Sequence, residues 1–214
     1  MKIGILGTGP VGQTLGTKLV QLGHHVTMGS RTPDNLNAAR WAKAQGINAS
    51  QGTFADAAAM SEFVFLGTKG EATLEVIHAV GAAALADKVV VDVSNPLDFS
   101  RGTPPSLLIG NTDSLGEQVQ KAVPLAKVVK TLNIVNCEVM VDPAKGGHPT
   151  MLLCGNDADA KAAVIVLLTD FGWQDILDLG DIKRARAMEM LVPLWLSILP
   201  VAGHSGFGFR VVGR

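Results

Sequence analysis

A glycine-rich turn near the start of the sequence has the spacing of a phosphate-binding loop. It follows the pattern GxGxxG and consists of Gly7, Thr8, Gly9, Pro10, Val11 and Gly12. An apolar strand pattern precedes it and a helical pattern follows, which is the context in which this motif binds a dinucleotide. The first glycine permits a tight turn, the second lets the backbone approach a pyrophosphate, and the third lets the helix pack closely on the strand. Because free N–H groups at the start of that helix face the phosphates, the motif predicts a dinucleotide site.

The residues after the second predicted strand favour NADP(H). Sites selective for NAD carry Asp or Glu here, and the carboxylate binds the ribose 2′-hydroxyl. This sequence has Ser30, Arg31 and Thr32 instead. An arginine can form a charge-assisted pair with a 2′-phosphate, and the two hydroxyls can donate further hydrogen bonds. The alternative interpretation of Arg31 is a solvated surface arginine.

More polar residues follow the other predicted strands. Ligands of a doubly wound sheet bind outside the carboxyl ends of its strands, so we expect these residues to hold the nicotinamide ribose and carboxamide. They are Gly67, Thr68, Lys69, Ser94, Asn95, Pro96 and Asn133. Lys69 could equally be an ordinary surface lysine, and the two asparagines could be turn residues that satisfy backbone groups.

Asn133 and His148 are the candidates for a catalytic role. His148 lies in a Gly-Gly-His-Pro-Thr segment, where it could donate a proton or an orienting hydrogen bond to a bound ring. A loop histidine beside a turn is the alternative, and His204 has the same two interpretations. No pair of histidines has a metal-ligand spacing, so we predict no metal site. The sequence also lacks a recognisable nucleophile pattern, which agrees with chemistry carried by cofactors.

Composition narrows the class of protein. The chain has 214 residues, of which 17% are charged, and a formal net charge of −1. This balance excludes broad electrostatic binding of nucleic acid or of a membrane surface. No secretory signal precedes the first predicted strand, so we expect a cytoplasmic protein. Cys137 and Cys154 lack metal-ligand spacing and are predicted to be buried, reduced thiols.

One apolar stretch, residues 188–202, could suggest a membrane span. It is shorter than the ~20 apolar residues that a span requires, and it contains Glu189 and two prolines. We therefore expect a buried helix or the interface of a homodimer, and no membrane partner.

Alternating strand and helix patterns predict the elements that position these residues. Strands are predicted at residues 2–6, 25–29, 63–66, 88–93 and 127–132, and helices at residues 10–22, 32–46, 71–85 and 114–123. Right-handed crossovers between such strands give an α/β fold with a doubly wound, Rossmann-type parallel sheet. The loop at residues 95–112 is long enough to be functional or mobile.

The pattern changes after about residue 137. Short strands are predicted at residues 151–154 and 173–179, and helices at residues 157–171 and 181–199. We therefore predict a dinucleotide-binding domain at residues 1–137 and a small α/β C-terminal lobe at residues 138–214, which would bind the substrate or form an interface.

Four stretches of the sequence resemble the F420-dependent NADP oxidoreductase family. They are residues 4–31, 91–96, 130–133 and 191–196. The resemblance implies hydride transfer between NADPH and a second bound carrier, a deazaflavin (coenzyme F420), with Thr8, Ser30 and Arg31 around the pyrophosphate and the 2′-phosphate. Archaeal members often have another basic residue a few positions beyond the arginine, whereas residues 33–36 here are Pro-Asp-Asn-Leu.

Other functions also fit this sequence. The same fold could reduce a different small-molecule acceptor, such as a flavin, a quinone or a chelated metal, or it could bind NADPH as a sensor without turnover. The C-terminal part is basic, and this suits an anionic second ligand as well as a solvated helix start and tail. Its charged residues are Lys183, Arg184, Arg186, Arg210 and Arg214 against Glu189.

Overall fold

An eight-stranded sheet forms the centre of the protein. The computed structural model describes residues 1–213. Its strands are β1 (Lys2–Leu6), β2 (His25–Ser30), β3 (Ala49–Thr53), β4 (Phe63–Leu66), β5 (Val89–Asp92), β6 (Leu97–Asp98), β7 (Ser106–Leu107), β8 (Lys127–Thr131), β9 (Met151–Gly155) and β10 (Ile176–Asp178). Its α-helices are α1 (Pro10–Gln21), α2 (Leu36–Gln45), α3 (Phe54–Ala59), α4 (Gly70–Val80), α5 (Leu115–Ala122), α6 (Cys137–Val141), α7 (Ala158–Asp170) and α8 (Ala185–Ala202).

The strand order is that of a doubly wound sheet. It runs β10-β9-β8-β5-β4-β1-β2-β3, and neighbouring strands are parallel except for the antiparallel pair β8 and β9. The predicted Rossmann-type fold is confirmed. Because β1 lies between β2 and β4, the crossovers on its two sides run in opposite directions and leave a crevice at its carboxyl end.

The C-terminal part of the chain extends this sheet. β9 pairs with β8, and β10 pairs with β9, so the strands after residue 137 share one sheet with those before it. β6 and β7 form a separate two-stranded hairpin within the long loop that follows β5. The domain boundary at residue 137 stays a prediction.

Apolar side chains fill both faces of the sheet. Val64, Val90 and Val128 pack on one face, and Phe65 and Val91 pack on the other. Helices cover both faces, which explains why the central strands are continuous apolar runs.

The predicted start of the second helix is wrong. α2 begins at Leu36 rather than near Thr32, because the side chain of Asn35 is its N-cap. Asn35 Oδ1 accepts hydrogen bonds from the backbone N–H groups of Asn37 and Ala38, each at 3.1 Å. An asparagine cap of this kind stabilises the first turn of a helix as well as a threonine does.

Several elements are not predicted from the sequence, among them β3, α3, α6 and the β6–β7 hairpin. β3 is one of the two edge strands of the sheet, and Gly52 is its only buried residue. It therefore lacks the alternation of apolar residues that predicts a strand. α3 is a six-residue helix that begins with a capping box between Thr53 and Asp56. The predicted helix at residues 71–85 is also divided, since α4 ends where Gly81 adopts a φ of +85°.

Candidate active site

The glycine-rich turn has the backbone geometry that the motif predicts. Gly7 has a φ of +135°, and a Cβ there would collide with the carbonyl group of Gly67. A Cβ on Gly12 would collide with the carbonyl group of Gly7, so α1 packs directly on the turn. A Cβ on Gly9, in contrast, would meet no atom within 4 Å. Gly9 is the N-cap residue of α1 and provides no side-chain cap. The free N–H groups at the start of α1 therefore face an open space, and a ligand can approach the backbone closely there.

A cavity of about 690 Å³ opens in front of this turn, and we call it the glycine-loop cavity. It brings together residues from the ends of β1, β2 and β4 and from the first turns of α1 and α4. The lining residues include Gly7, Thr8, Gly9, Pro10, Val11, Ser30, Arg31, Phe54, Gly67, Thr68, Lys69 and Glu71. Most of the predicted dinucleotide-binding residues thus line one cavity.

Arg31 lies at the exposed edge of the glycine-loop cavity. Its guanidinium is 3.9 Å from the Glu75 carboxylate, and the two side chains are 68% and 72% exposed. A solvated pair at this distance contributes little to stability, so Arg31 is free to turn toward another anion. Ser30 Oγ donates a hydrogen bond to the backbone carbonyl of Thr32, and Thr32 does not line the cavity.

A second cavity, of about 380 Å³, adjoins the first, and we call it the apolar cavity. It shares Val11, Thr68, Lys69 and Glu71 with the glycine-loop cavity. Its walls come from the loops after β5 and β8, the β6–β7 hairpin, α6 and α8. Among the lining residues are Ser94, Asn95, Leu97, Phe99, Asn133, Ile134, Val135, Cys137, Met140, Val192, Trp195 and Leu196.

Two asparagine side chains join the loops after β5 and β8 at this cavity. Asn95 Nδ2 donates a hydrogen bond to the backbone carbonyl of Asn133 at 2.8 Å, and Asn133 Nδ2 donates to Asn95 Oδ1 at 2.9 Å. Asn133 Nδ2 also donates to the backbone carbonyl of Met188 in α8 at 3.2 Å. The pair fixes both loops relative to α8.

A buried ion cluster lies directly behind these loops. Lys130 Nζ is 2.9 Å from Asp92 Oδ2 and 2.8 Å from Glu189 Oε1, and it donates to the backbone carbonyl of Ser94 at 2.6 Å. Lys130 and Asp92 are paired neighbours on β8 and β5. All three charged side chains are at most 1% exposed. The cluster therefore connects the loop after β5 with α8, which form two walls of the apolar cavity.

The negative charge of the cluster is met by a helix N-terminus. The two carboxylate oxygens of Glu189 accept hydrogen bonds from the N–H groups of Leu115 and Gly116, at 2.9 and 3.0 Å, in the first turn of α5. Burial would lower the pKa of Lys130, but Asp92 and Glu189 outweigh it and hold that pKa above its usual range. Burial raises the pKa of Glu189, and the Lys130 ammonium opposes that rise.

Several predicted residues lie outside both cavities. His148 is an exposed residue with a φ of +55° in the turn after the Pro143–Gly146 3-10 helix, and neither cavity includes it. His204 is also exposed and lines neither cavity. Pro96 supports the hairpin, because its carbonyl accepts a hydrogen bond from the N–H of Leu108 at 2.8 Å.

The two cysteines differ in environment. Cys154 is fully buried, and burial raises the pKa of its thiol to about 12, so this thiol stays protonated at neutral pH. Cys137 is half-buried and lines the apolar cavity, which corrects the expectation of a fully buried thiol. Within residues 1–213, no group of three His, Cys, Asp or Glu side chains is arranged to hold a metal ion.

The basic residues of the C-terminal part do not surround either cavity. Arg186 pairs with Glu117, with its Nε 2.7 Å from the carboxylate, and Lys183, Arg184 and Arg210 are exposed on the surface. None of these four lines the glycine-loop or apolar cavity. Arg214 lies outside the described residues.

The helical segment Ile182–Ala202 is long and apolar enough to cross a membrane, by length and composition alone. It is longer than the apolar stretch at residues 188–202. One face of α8 is nevertheless used inside the protein, where Met188, Glu189, Val192 and Trp195 are buried. The expectation of a buried helix therefore holds for this face only.

The sequence matches known proteins over its whole length. The family model described as NADP oxidoreductase, coenzyme F420-dependent, matches residues 2–96. The F420-dependent NADP reductase of Methanocaldococcus jannaschii is 31% identical over 221 residues, which cover 99% of this chain and 98% of that protein. The chain belongs to the F420-dependent NADP oxidoreductase family. The resemblance seen in the sequence is thereby confirmed.

Two further proteins are similar to this chain. A solved structure from Arthrobacter sp. FB24, described as a candidate F420-dependent NADP reductase, is 45% identical, has a TM-score of 0.96 and covers both chains completely. The rat protein named metalloreductase STEAP3 is 30% identical over 205 residues. The chain covers only 38% of the length of that rat protein, so the likeness concerns one part of it.

Lys130→Met tests the ion cluster of this oxidoreductase. The substitution leaves the carboxylates of Asp92 and Glu189 buried without their cation, so we expect the free energy of unfolding in urea to fall by about 3–5 kcal/mol. Lys145→Met is the matched control, because Lys145 forms an exposed ion pair with Glu138 and its loss should change little. A Lys130→Met protein as stable as the wild type would contradict the structural role of the cluster.

Proposed function

We propose that this chain transfers a hydride between NADPH and coenzyme F420 and that the two reacting rings meet in the apolar cavity. The observation that carries the proposal is the junction of the two cavities at Val11, Thr68, Lys69 and Glu71. A dinucleotide that starts at the glycine-rich turn reaches the apolar cavity at this junction. The second cavity is large enough and apolar enough to receive a ring system beside it.

The glycine-loop cavity fits the phosphate-bearing end of NADP(H). The open space at Gly9 and the uncapped start of α1 suit a pyrophosphate. Ser30 and Arg31 lie where the 2′-phosphate would bind, and Phe54 offers an apolar surface to the adenine. Gly7 and Gly12 act through packing, and Thr8, Pro10 and Val11 border the path between the two cavities.

The residues of the apolar cavity exclude water and orient the rings. When bound, NADPH supplies the hydride equivalent and F420 accepts it. Leu97 and Phe99 from the hairpin and Val192, Trp195 and Leu196 from α8 form the apolar walls. Holding two rings in contact makes the transfer effectively unimolecular, and the hydride step itself requires no acid or base from the protein.

The polar groups of this cavity come from the ends of the strands. Thr68, Lys69, Ser94, Asn95 and Asn133 lie beside the expected nicotinamide position. Asn133 is the stronger of the two candidates for a catalytic role, because His148 is exposed and outside both cavities. Gly67 and Pro96 shape the backbone around the site.

Stopped-flow mixing of the protein with NADPH and F420 tests the reaction. We expect rapid loss of the deazaflavin absorbance, whereas free flavin, a quinone and a chelated ferric ion should each be reduced more slowly. Tight binding of NADPH with no loss of the deazaflavin band would contradict the proposal. Turnover of another acceptor would then identify a reductase of that class, and no turnover at all would favour a sensor.

Gly9→Ala tests the phosphate path. No atom lies within 4 Å of the added methyl group and the φ of −79° suits alanine, so the melting temperature should stay unchanged. The methyl group occupies the approach to the pyrophosphate, so we expect the dissociation constant of NADPH to rise at least about tenfold. Gly110→Ala is the control, since its Cβ would lie 3.5 Å from Leu107 in ordinary contact. Unchanged NADPH affinity in Gly9→Ala would place the pyrophosphate elsewhere.

Arg31→Ala tests the preference for NADP(H). Loss of the guanidinium should weaken NADPH binding by about 1–3 kcal/mol more than NADH binding, because only NADPH carries the 2′-phosphate. Titration of both nucleotides measures the difference, with Arg40→Ala as an exposed arginine outside both cavities. Equal losses for the two nucleotides would show that Arg31 does not contact the phosphate.

We also propose a homodimer in the cytoplasm, without a membrane or nucleic-acid partner. Met190, Leu194 and Val201 form an apolar stripe on the outer face of α8 and are 42%, 50% and 87% exposed. Such stripes commonly mark interaction surfaces. The formal net charge of −1 puts little electrostatic repulsion between two copies.

Leu194→Glu tests the dimer. A charge in the centre of the stripe should separate the two subunits. The mass measured by light scattering should then fall from that of two subunits to that of one. Val166→Glu on α7, where Val166 is 61% exposed, should leave the mass unchanged. A one-subunit mass for the wild type would exclude the dimer, and sedimentation of the wild type with phospholipid vesicles would point to a membrane instead.

A further inference from the structure

The last residues of the chain lie against the outside of the apolar cavity. After α8 ends, residues 203–211 form neither helix nor strand, and we call them the C-terminal tail. None of these residues lines the glycine-loop cavity or the apolar cavity. The tail nevertheless lies against three residues that line the apolar cavity, namely Val135, Asn136 and Trp195. It therefore forms a second layer behind part of the cavity wall.

A buried threonine anchors the C-terminal tail. The N–H of Thr150 donates a hydrogen bond to the carbonyl of Phe209 at 2.9 Å, and Thr150 Oγ1 accepts one from the N–H of Val211 at 2.9 Å. Thr150 is 1% exposed, and its hydroxyl also donates to the carboxylate of Asp175. The Gly-Gly-His-Pro-Thr segment therefore fixes the C-terminal tail through its last residue.

Two glycines let the tail lie close to the cavity wall. A Cβ on Gly208 would be 2.7 Å from Pro149 and 3.1 Å from Val135. A Cβ on Gly206 would be 2.9 Å from the carbonyl oxygen of Lys145. A side chain at either position would force the tail away from the wall, so this close packing depends on glycine.

Phe207 holds the side chain of Trp195 by two contacts. The two rings stack with their centroids 4.7 Å apart and an angle of 13° between their planes. The indole Nε1–H, which is the polar group of the Trp195 side chain, donates to the backbone carbonyl of Phe207 at 3.2 Å. The stack therefore covers one face of the indole, and the hydrogen bond fixes its rotation. Trp195 lines the apolar cavity, whereas Phe207 does not.

We infer that the C-terminal tail is a strap that positions Trp195 for the second ring, with Phe207 as the positioning residue. The inference rests on the proposed transfer between two rings in the apolar cavity. A planar aromatic acceptor packs best on a flat surface that is already held in place, because a mobile indole would lose rotamer freedom on binding. Phe207 acts on the acceptor only through Trp195, so it has no influence on binding at the glycine-loop cavity.

Paired substitutions in the tail test this role by binding alone. Phe207→Leu keeps an apolar side chain but removes the flat ring, so the dissociation constant of F420 in calorimetry should rise about threefold to tenfold. The dissociation constant of NADP⁺ should stay unchanged. Phe207→Tyr keeps the ring and should bind F420 as the wild type does. Phe209→Leu is the matched control, because Phe209 lies in the same tail and, within residues 1–213, makes no ring contact with Trp195.

Hydrogen exchange of the wild-type protein gives a second measurement that needs no variant. F420 packed on Trp195 should stabilise the stack with Phe207. Exchange of the backbone N–H groups of residues 205–211 should therefore slow when F420 is added to the NADP⁺ complex.

The outcomes separate this inference from the proposed function. Unchanged F420 affinity in Phe207→Leu would overturn the inference, and so would equal losses of F420 and NADP⁺ affinity, which indicate a general loss of structure. Unchanged exchange of the tail in an F420-bound wild type would overturn it even if the variants fail to fold. A wild type that binds NADP⁺ but not F420 would contradict the proposed function, and the inference that rests on it would fall as well.

Discussion

The buried ammonium of Lys130 is the constraint on which the site depends. A lysine without solvent is stable only with opposite charge at close range, and Asp92 and Glu189 supply it at 2.9 and 2.8 Å. The two carboxylates come from β5 and α8, so satisfying one cation joins elements that are far apart in the sequence. Two carboxylates facing one ammonium leave one negative charge in excess. The N-terminus of α5 stabilises that charge, because two of its backbone N–H groups donate hydrogen bonds to Glu189.

The polar groups at the cavity follow from this arrangement. Lys130 also holds the carbonyl of Ser94, which fixes the loop that carries Asn95. Asn95 in turn binds Asn133, and Asn133 binds the carbonyl of Met188, one residue before Glu189. The apolar wall of α8 and the polar ends of β5 and β8 are thus held by one connected set of bonds. A rigid site of this kind suits a reaction in which the protein mainly positions two rings.

The sequence predicts the residues that gather at the glycine-loop cavity better than it predicts the rest of the candidate site. GxGxxG between a strand and a helix is a local pattern, and Ser30 and Arg31 follow from their place after the second strand. β3 and α3 are missed because an outer polar strand and a six-residue helix carry little periodicity. Lys130 within an apolar strand was a signal of an internal charge, but its partner Glu189 is too distant in sequence to infer. The stack of Phe207 on Trp195 emerges only from three-dimensional contacts.

The most direct test of this account is a crystal structure of the protein with NADP⁺ and F420 bound together. We expect the pyrophosphate at the start of α1, the nicotinamide against the ends of β5 and β8, and the deazaflavin ring between the nicotinamide and the apolar face of α8. The Lys130 cluster should be unchanged in that complex, because it sets the walls before either ligand binds. A nicotinamide or deazaflavin ring bound outside the apolar cavity would contradict the account.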